Sequence, residues 1–289
     1  MTSSNSKKLI ERIEEEKKRG ANPRFFDFFK ELFQIQADTE KKTGKVKSAL
    51  KKEDIDSRQR NGISLIGYSD LVIDWPLLND TYDKLSKLFA KYPDIFGEAF
   101  GSMELPESQK ILSRETVKAW FNEDILPAGT EEDGTVNPLF IETLIHSAIK
   151  PFLVSNAKVL IDSVKQEEWR RLQCPICGGK PDIAFMEKEY GARWLVCSRC
   201  DTEWMFQRLQ CPYCANEDQT KLNFFSDEDD AYRLYVCDNC HSYIKTIDLR
   251  KAKSDVFIPL ERILTIDMDR QAQEKGYSPG HFEDAPDSE

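Results

Sequence analysis

The chain has 289 residues, of which 40% are hydrophobic and 32% charged, the composition of a soluble globular protein that can bury a core in one large domain plus a small one. Its net charge of -10 argues against broad attraction to nucleic acid or anionic lipid, because neutralising phosphate needs a basic face. Met1 to Gly20 mixes Lys, Arg and Glu with few apolar residues, so it offers no signal-peptide core and no span for a bilayer; the expectation is a cytoplasmic protein without membrane insertion.

Residues 1–21 read as a flexible or helical lead-in, and 22–168 as a helical domain. Asn22 is an N-cap candidate with Pro23 at the first helical position, and Phe25, Phe26, Phe28, Phe29, Leu32, Phe33 and Ile35 follow with helical spacing. That wide apolar face needs burial and reads as core. Further helical patterns cover Asp80 to Lys91, Ser113 to Phe121, and Asn137 to Val164, with Pro151 expected to kink or interrupt the last one. Glycines and prolines such as Gly62, Gly67, Pro76, Gly101 and Pro127 mark the intervening loops, and Asp124 to Gly134 reads as an exposed acidic loop.

All eight cysteines fall between Cys174 and Cys240. Cys174-Pro-Ile-Cys177 aligns with Cys211-Pro-Tyr-Cys214, and Arg193-Trp-Leu-Val-Cys197-Ser-Arg-Cys200 with Arg233-Leu-Tyr-Val-Cys237-Asp-Asn-Cys240, which exposes an internal duplication. Each copy is a knuckle, a hairpin, an aromatic and aliphatic strand, and a second knuckle. Two residues between cysteines let both thiolates turn onto one ion while backbone N–H groups donate to sulfur. The expected shells are Cys174, Cys177, Cys197 and Cys200 for one ion, and Cys211, Cys214, Cys237 and Cys240 for the other. Four disulfides are disfavoured in a reducing compartment, and an all-thiolate shell accepts zinc or iron alike. A filled shell leaves no position for substrate, so the ions read as structural staples and no catalytic residue is assigned. Gly178 after the first knuckle supplies a permissive backbone, whereas Ala215 occupies the equivalent place in the third and implies strain there.

The histidines, His146, His241 and His281, stand in no recognisable motif, and the run Asp227 to Asp230 matches Glu187 to Glu189 of the first copy as a solvated hairpin tip. No Gly-rich phosphate loop, H-E-x-x-H or G-x-S-x-G is present. The fold class is therefore α+β: an N-terminal helical domain, then a tandem four-cysteine domain of short antiparallel strands over 169–250, in two ribbons, 169–208 and 209–250. Residues 251–275 are expected to pack on the ribbons or helices, and the acidic tail 276–289 to be disordered.

Trp169-Arg-Arg-Leu-Gln-Cys174-Pro-Ile-Cys177-Gly-Gly-Lys-Pro181, the stretch Cys197-Ser-Arg-Cys200-Asp-Thr-Glu203-Trp204 with Arg208, Cys211-Pro-Tyr-Cys214, and Cys237-Asp-Asn-Cys240-His-Ser-Tyr243-Ile-Lys245 together resemble the formate dehydrogenase accessory protein FdhE family. The resemblance spans about Trp169 to Asp248. It implies a cytoplasmic, non-enzymatic maturation factor with rubredoxin-like iron in the knuckles, zinc being the alternative. It also implies a partner, the catalytic subunit of a molybdenum formate dehydrogenase. The eight cysteines carry over as the metal positions, and His241 stands where the family often has Gly. Trp204, Arg208, Tyr243 and Lys245, just outside the knuckles, are candidate partner contacts. Two other functions remain on this reading: a nucleic-acid-binding zinc ribbon protein, disfavoured because acidic residues outnumber basic ones around the cysteines, and a rubredoxin-like redox protein.

Overall fold

A computed structural model describes residues 3–19, 22–96, 107–126 and 138–280. The expected acidic loop beyond Leu126, the glycines at 97, 101, 129 and 134, His281 and the final nine residues of the acidic tail lie outside them. The chain divides into two compact units, Met1–Ala49 with Tyr68–Val159, and Leu50–Gly67 with Leu160–Glu289.

The first unit is helical: α1 (Ser3–Lys18), α2 (Pro23–Thr43), and, after the 50–67 excursion, α4 (Trp75–Lys91), α5 (Pro93–Phe96), α6 (Ser108–Ile111), α7 (Arg114–Asn122) and α8 (Pro138–Leu160). The Asn22 side chain accepts from the N–H groups of Arg24 and Phe25, so α2 starts where its sequence places the cap. Helix α4 starts earlier than its apolar pattern, because Asp74 caps it by accepting from the N–H of Leu77 and Pro76 sits in its first turn rather than in a loop. The phenylalanine face of α2 is core: Phe28 is buried and meets the rings of Phe89, Tyr92 and Phe96 edge-on at centroid distances of 4.9, 5.7 and 4.9 Å. Thr39 and Thr81 share a buried hydroxyl hydrogen bond of 2.9 Å between α2 and α4.

Pro151 does not interrupt α8, which runs unbroken from Pro138 to Leu160. A proline removes its own N–H and so leaves the carbonyl four residues earlier without its helical donor. That carbonyl belongs to Ser147, and the Gln36 side-chain amide donates to it at 2.9 Å. Helix α8 lies in the one described span long and apolar enough to cross a membrane, but Ile141, Leu144, Ile145, Ile149, Phe152 and Leu153 are buried within the protein.

The second unit holds α3 (Lys52–Arg60), α9 (Gln166–Trp169), a sheet, α10 (Ile258–Leu264) and α11 (Ile266–Glu274). Its strands are β1 (Pro181–Met186), β2 (Arg193–Cys197), β3 (Glu203–Phe206), β4 (Leu222–Ser226), β5 (Tyr232–Cys237), β6 (Ser242–Asp248) and β7 (Ser278–Pro279). β-Branched and aromatic residues in β2 and β5 suit a half-buried pleat. Each copy of the duplication makes an antiparallel meander, β1-β2-β3 and β4-β5-β6, and the order across the sheet is β3-β2-β1-β6-β5-β4. The seam between the copies is parallel, with Ile183 opposite Lys245 and Met186 opposite Asp248. A purely antiparallel arrangement is therefore not what forms. At the seam β6 is buried along its whole length.

Around the seam, Ile183, Phe185, Val196 and Ile247 cluster with Val256 and Ile258; further along, Leu234, Val236 and Tyr243 cluster with Met268 and Ala272. The two short C-terminal helices thus supply the apolar cover that an open sheet needs. The hairpin tips behave as the sequence suggests. The Glu187 carboxylate accepts the N–H groups of Glu189, Tyr190 and Ala192, and Asp230 holds Arg233 with two hydrogen bonds of 2.9 and 2.6 Å. The chain expected to lose order from residue 276 is instead paired at Ser278 and Pro279 alongside Ser242 and Tyr243.

Candidate metal centres

The four C-x2-C segments fold alike. In the first, the N–H of Cys174 donates to the carbonyl of Gly179 at 2.9 Å and that of Gly178 to Cys174 at 3.1 Å. The second repeats this with Cys197, Thr202 and Asp201, and the third with Cys211, Asn216 and Ala215. In the fourth, Cys237 faces Ser242 across the β5-β6 register. Every one of these turns closes through a left-handed residue just after its second cysteine: Gly178 at φ 74°, Asp201 at 56°, Ala215 at 58° and His241 at 52°. Only the first has the residue type this conformation favours. Gly179 is needed for room instead, since a Cβ there would stand 3.0 Å from the Cys197 sulfur and 2.9 Å from Arg199 Cδ.

The turns bring the sulfurs together as the spacing implies and not in an interleaved pairing. Cys174, Cys177, Cys197 and Cys200 form one group and Cys211, Cys214, Cys237 and Cys240 the other, with all sulfurs of a group within 4.8 Å of one another. Sγ–Sγ separations are 3.6, 3.5 and 3.4 Å for Cys174–Cys200, Cys177–Cys197 and Cys177–Cys200, and 3.7 and 3.8 Å for Cys211–Cys240 and Cys214–Cys237. A tetrahedron of sulfurs with metal–sulfur bonds of ~2.3 Å has edges of about 3.8 Å. Both groups therefore fit one ion each. Disulfide bonding, at a sulfur separation of about 2.05 Å, does not describe them.

As bare thiols the groups ionise unevenly. Burial pushes Cys174 and Cys200 up; it opposes ionisation of Cys197 too, but hydrogen bonds from the other three sulfurs hold that thiol well below its usual range. In the second group Cys240 is lowered to about 4, chiefly by its hydrogen bond from Cys211, while burial pushes Cys237 up to about 11. One thiolate per group is thus stabilised by protonated neighbours, and a divalent cation would take the place of those protons.

Supporting groups come from far along the chain. Ser64 donates to the Cys174 carbonyl at 2.9 Å, and the N–H groups of Leu65 and Ile66 donate to Pro175 and Ile176 at 2.8 Å each. Arg262 grips Asp182 and Asp201 and donates to the Cys197 carbonyl at 3.0 Å, its charge favoured by both carboxylates despite burial. Over the second group, the N–H of Ser278 donates to the His241 carbonyl at 2.8 Å and the Tyr277 hydroxyl to Asp238 at 2.5 Å. None of Ser64, Arg262 or Ser278 stands near a cysteine in sequence, so no local motif announces it.

The four side chains expected to meet a partner are placed as follows. Trp204 is 0% exposed and its indole N–H donates to the Arg171 carbonyl at 2.9 Å. Tyr243 and Lys245 are buried too, and both hold Asp269, at 2.8 and 2.6 Å. Arg208 alone of the four is exposed. An indole, a phenol and an ammonium group beside a knuckle turn inward here because the sheet needs apolar volume and α11 offers a carboxylate.

Comparison with known proteins agrees with this construction. The family model for the FdhE central domain matches residues 173–208. A Protein FdhE homolog of Aquifex aeolicus is 31% identical over 236 residues, 79% of this chain and 76% of that one. Protein FdhE of Escherichia coli O1:K1 is 30% identical over 113 residues, covering 38% and 36% of the two chains. The crystal structure of the FdhE protein from Pseudomonas aeruginosa superposes with a TM-score of 0.58 over 95% of this chain and 92% of that one, at 19% identity, which shows a shared fold. Similarity at 31% identity sustained over 79% of the chain, with the central-domain model matching across the first four-cysteine group, places the chain in the FdhE family.

Proposed function

We propose that this protein is a cytoplasmic, non-enzymatic accessory factor that binds the catalytic subunit of a molybdenum formate dehydrogenase and is needed for its maturation, with the eight cysteines holding two iron ions. The observation that carries the non-enzymatic part is the closure of both thiolate groups. Four protein ligands per ion leave no coordination position for a substrate, so the ions shape a binding unit instead of performing chemistry. The family supports the client. The choice of iron over zinc rests on the family resemblance, since sulfur ligands accept both.

Of the side chains proposed to contact the client, Arg208 is the accessible one, and Trp204, Tyr243 and Lys245 would act indirectly, by packing and hydrogen bonding within the second unit. The test is capture of the catalytic subunit by the anaerobically purified protein, together with formate dehydrogenase activity in cells lacking the factor. Capture of the subunit and restored activity are expected from the wild-type chain. Failure of both with fully metal-loaded protein overturns the proposal.

One observation favours a second reading, redox cycling of iron: Cys214 and Cys240 are only half-buried, which gives an electron donor a short approach. Visible spectra before and after dithionite decide it, because a colourless, zinc-loaded protein has nothing to reduce.

A further inference from the structure

On one face of the second ribbon, alternate residues of β4 and β5 (Phe224, Arg233 and Tyr235) and the segment entering the third knuckle enclose a cavity of about 290 Å³. The chain carries 51 acidic residues, yet among the described residues no Asp or Glu lines this cavity, whereas three arginines do: Arg193, Arg208 and Arg233. Arg233 is already matched by the carboxylate of Asp230.

Arg193 is not matched. It is 2% exposed, its Nη1 donates to the carbonyls of Arg208 and Gln210 at 3.4 and 3.2 Å, and its guanidinium carbon lies 5.3 Å from the centre of the Tyr235 ring. Its Nε and Nη2 are closed off from solvent and have no hydrogen-bond partner among the described residues. Burial of a guanidinium without a carboxylate partner is costly, and burial disfavours the Arg193 charge; Tyr235, Tyr213 and Cys211 offset part of that penalty, and the Arg208 charge adds a smaller one.

The same protein shows what this edge of a guanidinium takes. Nε and Nη2 of Arg233 hold Asp230, those of Arg250 hold Asp248 at 2.8 and 2.6 Å, and those of Arg262 hold Asp182 at 2.7 and 2.9 Å. In each case two parallel N–H groups meet two carboxylate oxygens, the geometry that makes arginine selective for planar anions.

We propose that this cavity binds a carboxylate bearing an apolar group, the Arg193 side chain shifting to present its closed-off Nε and Nη2 edge to the carboxylate with Arg208 as a second cation, and the apolar part lying against Leu209, Phe224 and Tyr235. A monoanion suits the site better than a phosphate dianion. Cys211 and Cys237 also line the cavity, and four thiolates around a divalent ion leave net negative charge beside it. The acid has two possible sources, a free organic acid or the C-terminal residue of a polypeptide, and both present the same chemistry. The proposal is independent of the client enzyme named above, because it concerns the purified chain alone.

The test is calorimetric titration of the full, metal-loaded chain with 4-phenylbutyrate and its amide, and with N-acetyl-Leu-Phe as free acid and as amide. Each acid is expected to bind on the order of tenfold or more tighter than its amide, the increment of a charge-assisted pair. Arg193→Gln should abolish the difference, and Arg208→Gln should weaken acid binding severalfold. A tighter dipeptide acid assigns the site to a chain terminus, and a tighter phenylbutyrate assigns it to a free acid. Equal binding of acid and amide, or no binding of either acid at millimolar concentration, overturns the proposal. Where Arg193→Gln loses metal, Arg208→Gln and Phe224→Ala at the rim carry the test, and undiminished acid binding in both overturns it.

Discussion

The two cysteine groups descend from one repeated pattern and differ in their cover. All four sulfurs of the first are buried, beneath a segment that returns from residues 64–66 and hydrogen-bonds to the knuckle backbone. The second keeps Cys214 and Cys240 half-buried, and its cover is a two-residue strand joined at His241 and Ser242. Identical ligand sets can therefore have unequal protection, because protection is a property of what the rest of the chain lays over the knuckle. Coordination geometry is local, and access to it is not.

The sharpest way to break that comparison is to remove one ligand from each group. A structural thiolate-bound ion contributes roughly 10–16 kcal/mol of apparent binding free energy to folding. Cys177→Ala is expected to lose the first ion and unfold the second unit, whereas Cys214→Ala loses its own ion and leaves the first in place. Metal analysis with circular dichroism distinguishes the two, and equal losses would show that the groups are equivalent after all.

A smaller effect separates interior from rim. Trp204→Ala should cost about 3–5 kcal/mol in urea unfolding, as large-to-small changes in a core do, and Arg208→Ala within about 0.5 kcal/mol. Similar midpoints for both variants would mean that Trp204 is not core.

Cover predicts kinetics as well. Cys214 and Cys240 should react with an alkylating reagent, in the presence of a competing chelator, on the order of tenfold faster than Cys174 and Cys200. Mass spectrometry of the modified peptides reads the order, and simultaneous modification of all eight removes the distinction.

The finest comparison is among the knuckle ends. His241→Gly should stabilise the chain by about 1 kcal/mol by relieving a left-handed non-glycine residue, and Gly178→Ala should cost about as much. A Cβ at Gly178 meets nothing closer than the Ser64 hydroxyl at 3.4 Å, so that cost is conformational and not steric. Thermal melts of the two variants should move in opposite directions.

What the sequence discloses follows the range of the interaction. The Asn22 cap, the phenylalanine face of α2 and each C-x2-C knuckle are legible because they depend on residues a few positions apart, and the grouping of knuckles 20 to 29 residues apart is legible through the duplication. That Pro151 does not interrupt α8 is not legible, because the donor to the carbonyl it orphans, Gln36, lies 111 residues before Ser147 in the chain. The parallel seam, the return of 50–67 to the second unit and the inward turn of Trp204 are likewise set by residues remote in sequence. Nor does spacing distinguish Arg193 from Arg233, which occupy matching places in the duplication; only the structure shows that Arg233 has Asp230 and that Arg193 has no carboxylate among the described residues.

The parallel seam also has a consequence for biosynthesis. As the chain leaves the ribosome, the first meander emerges with the outer edge of β1 uncovered, and its neighbour there is the last strand of the second meander, completed only at Asp248. An unpaired edge invites pairing with other chains. The nascent first ribbon therefore depends on prompt completion of the second, and a pause in translation between residues 206 and 242 would expose it to aggregation.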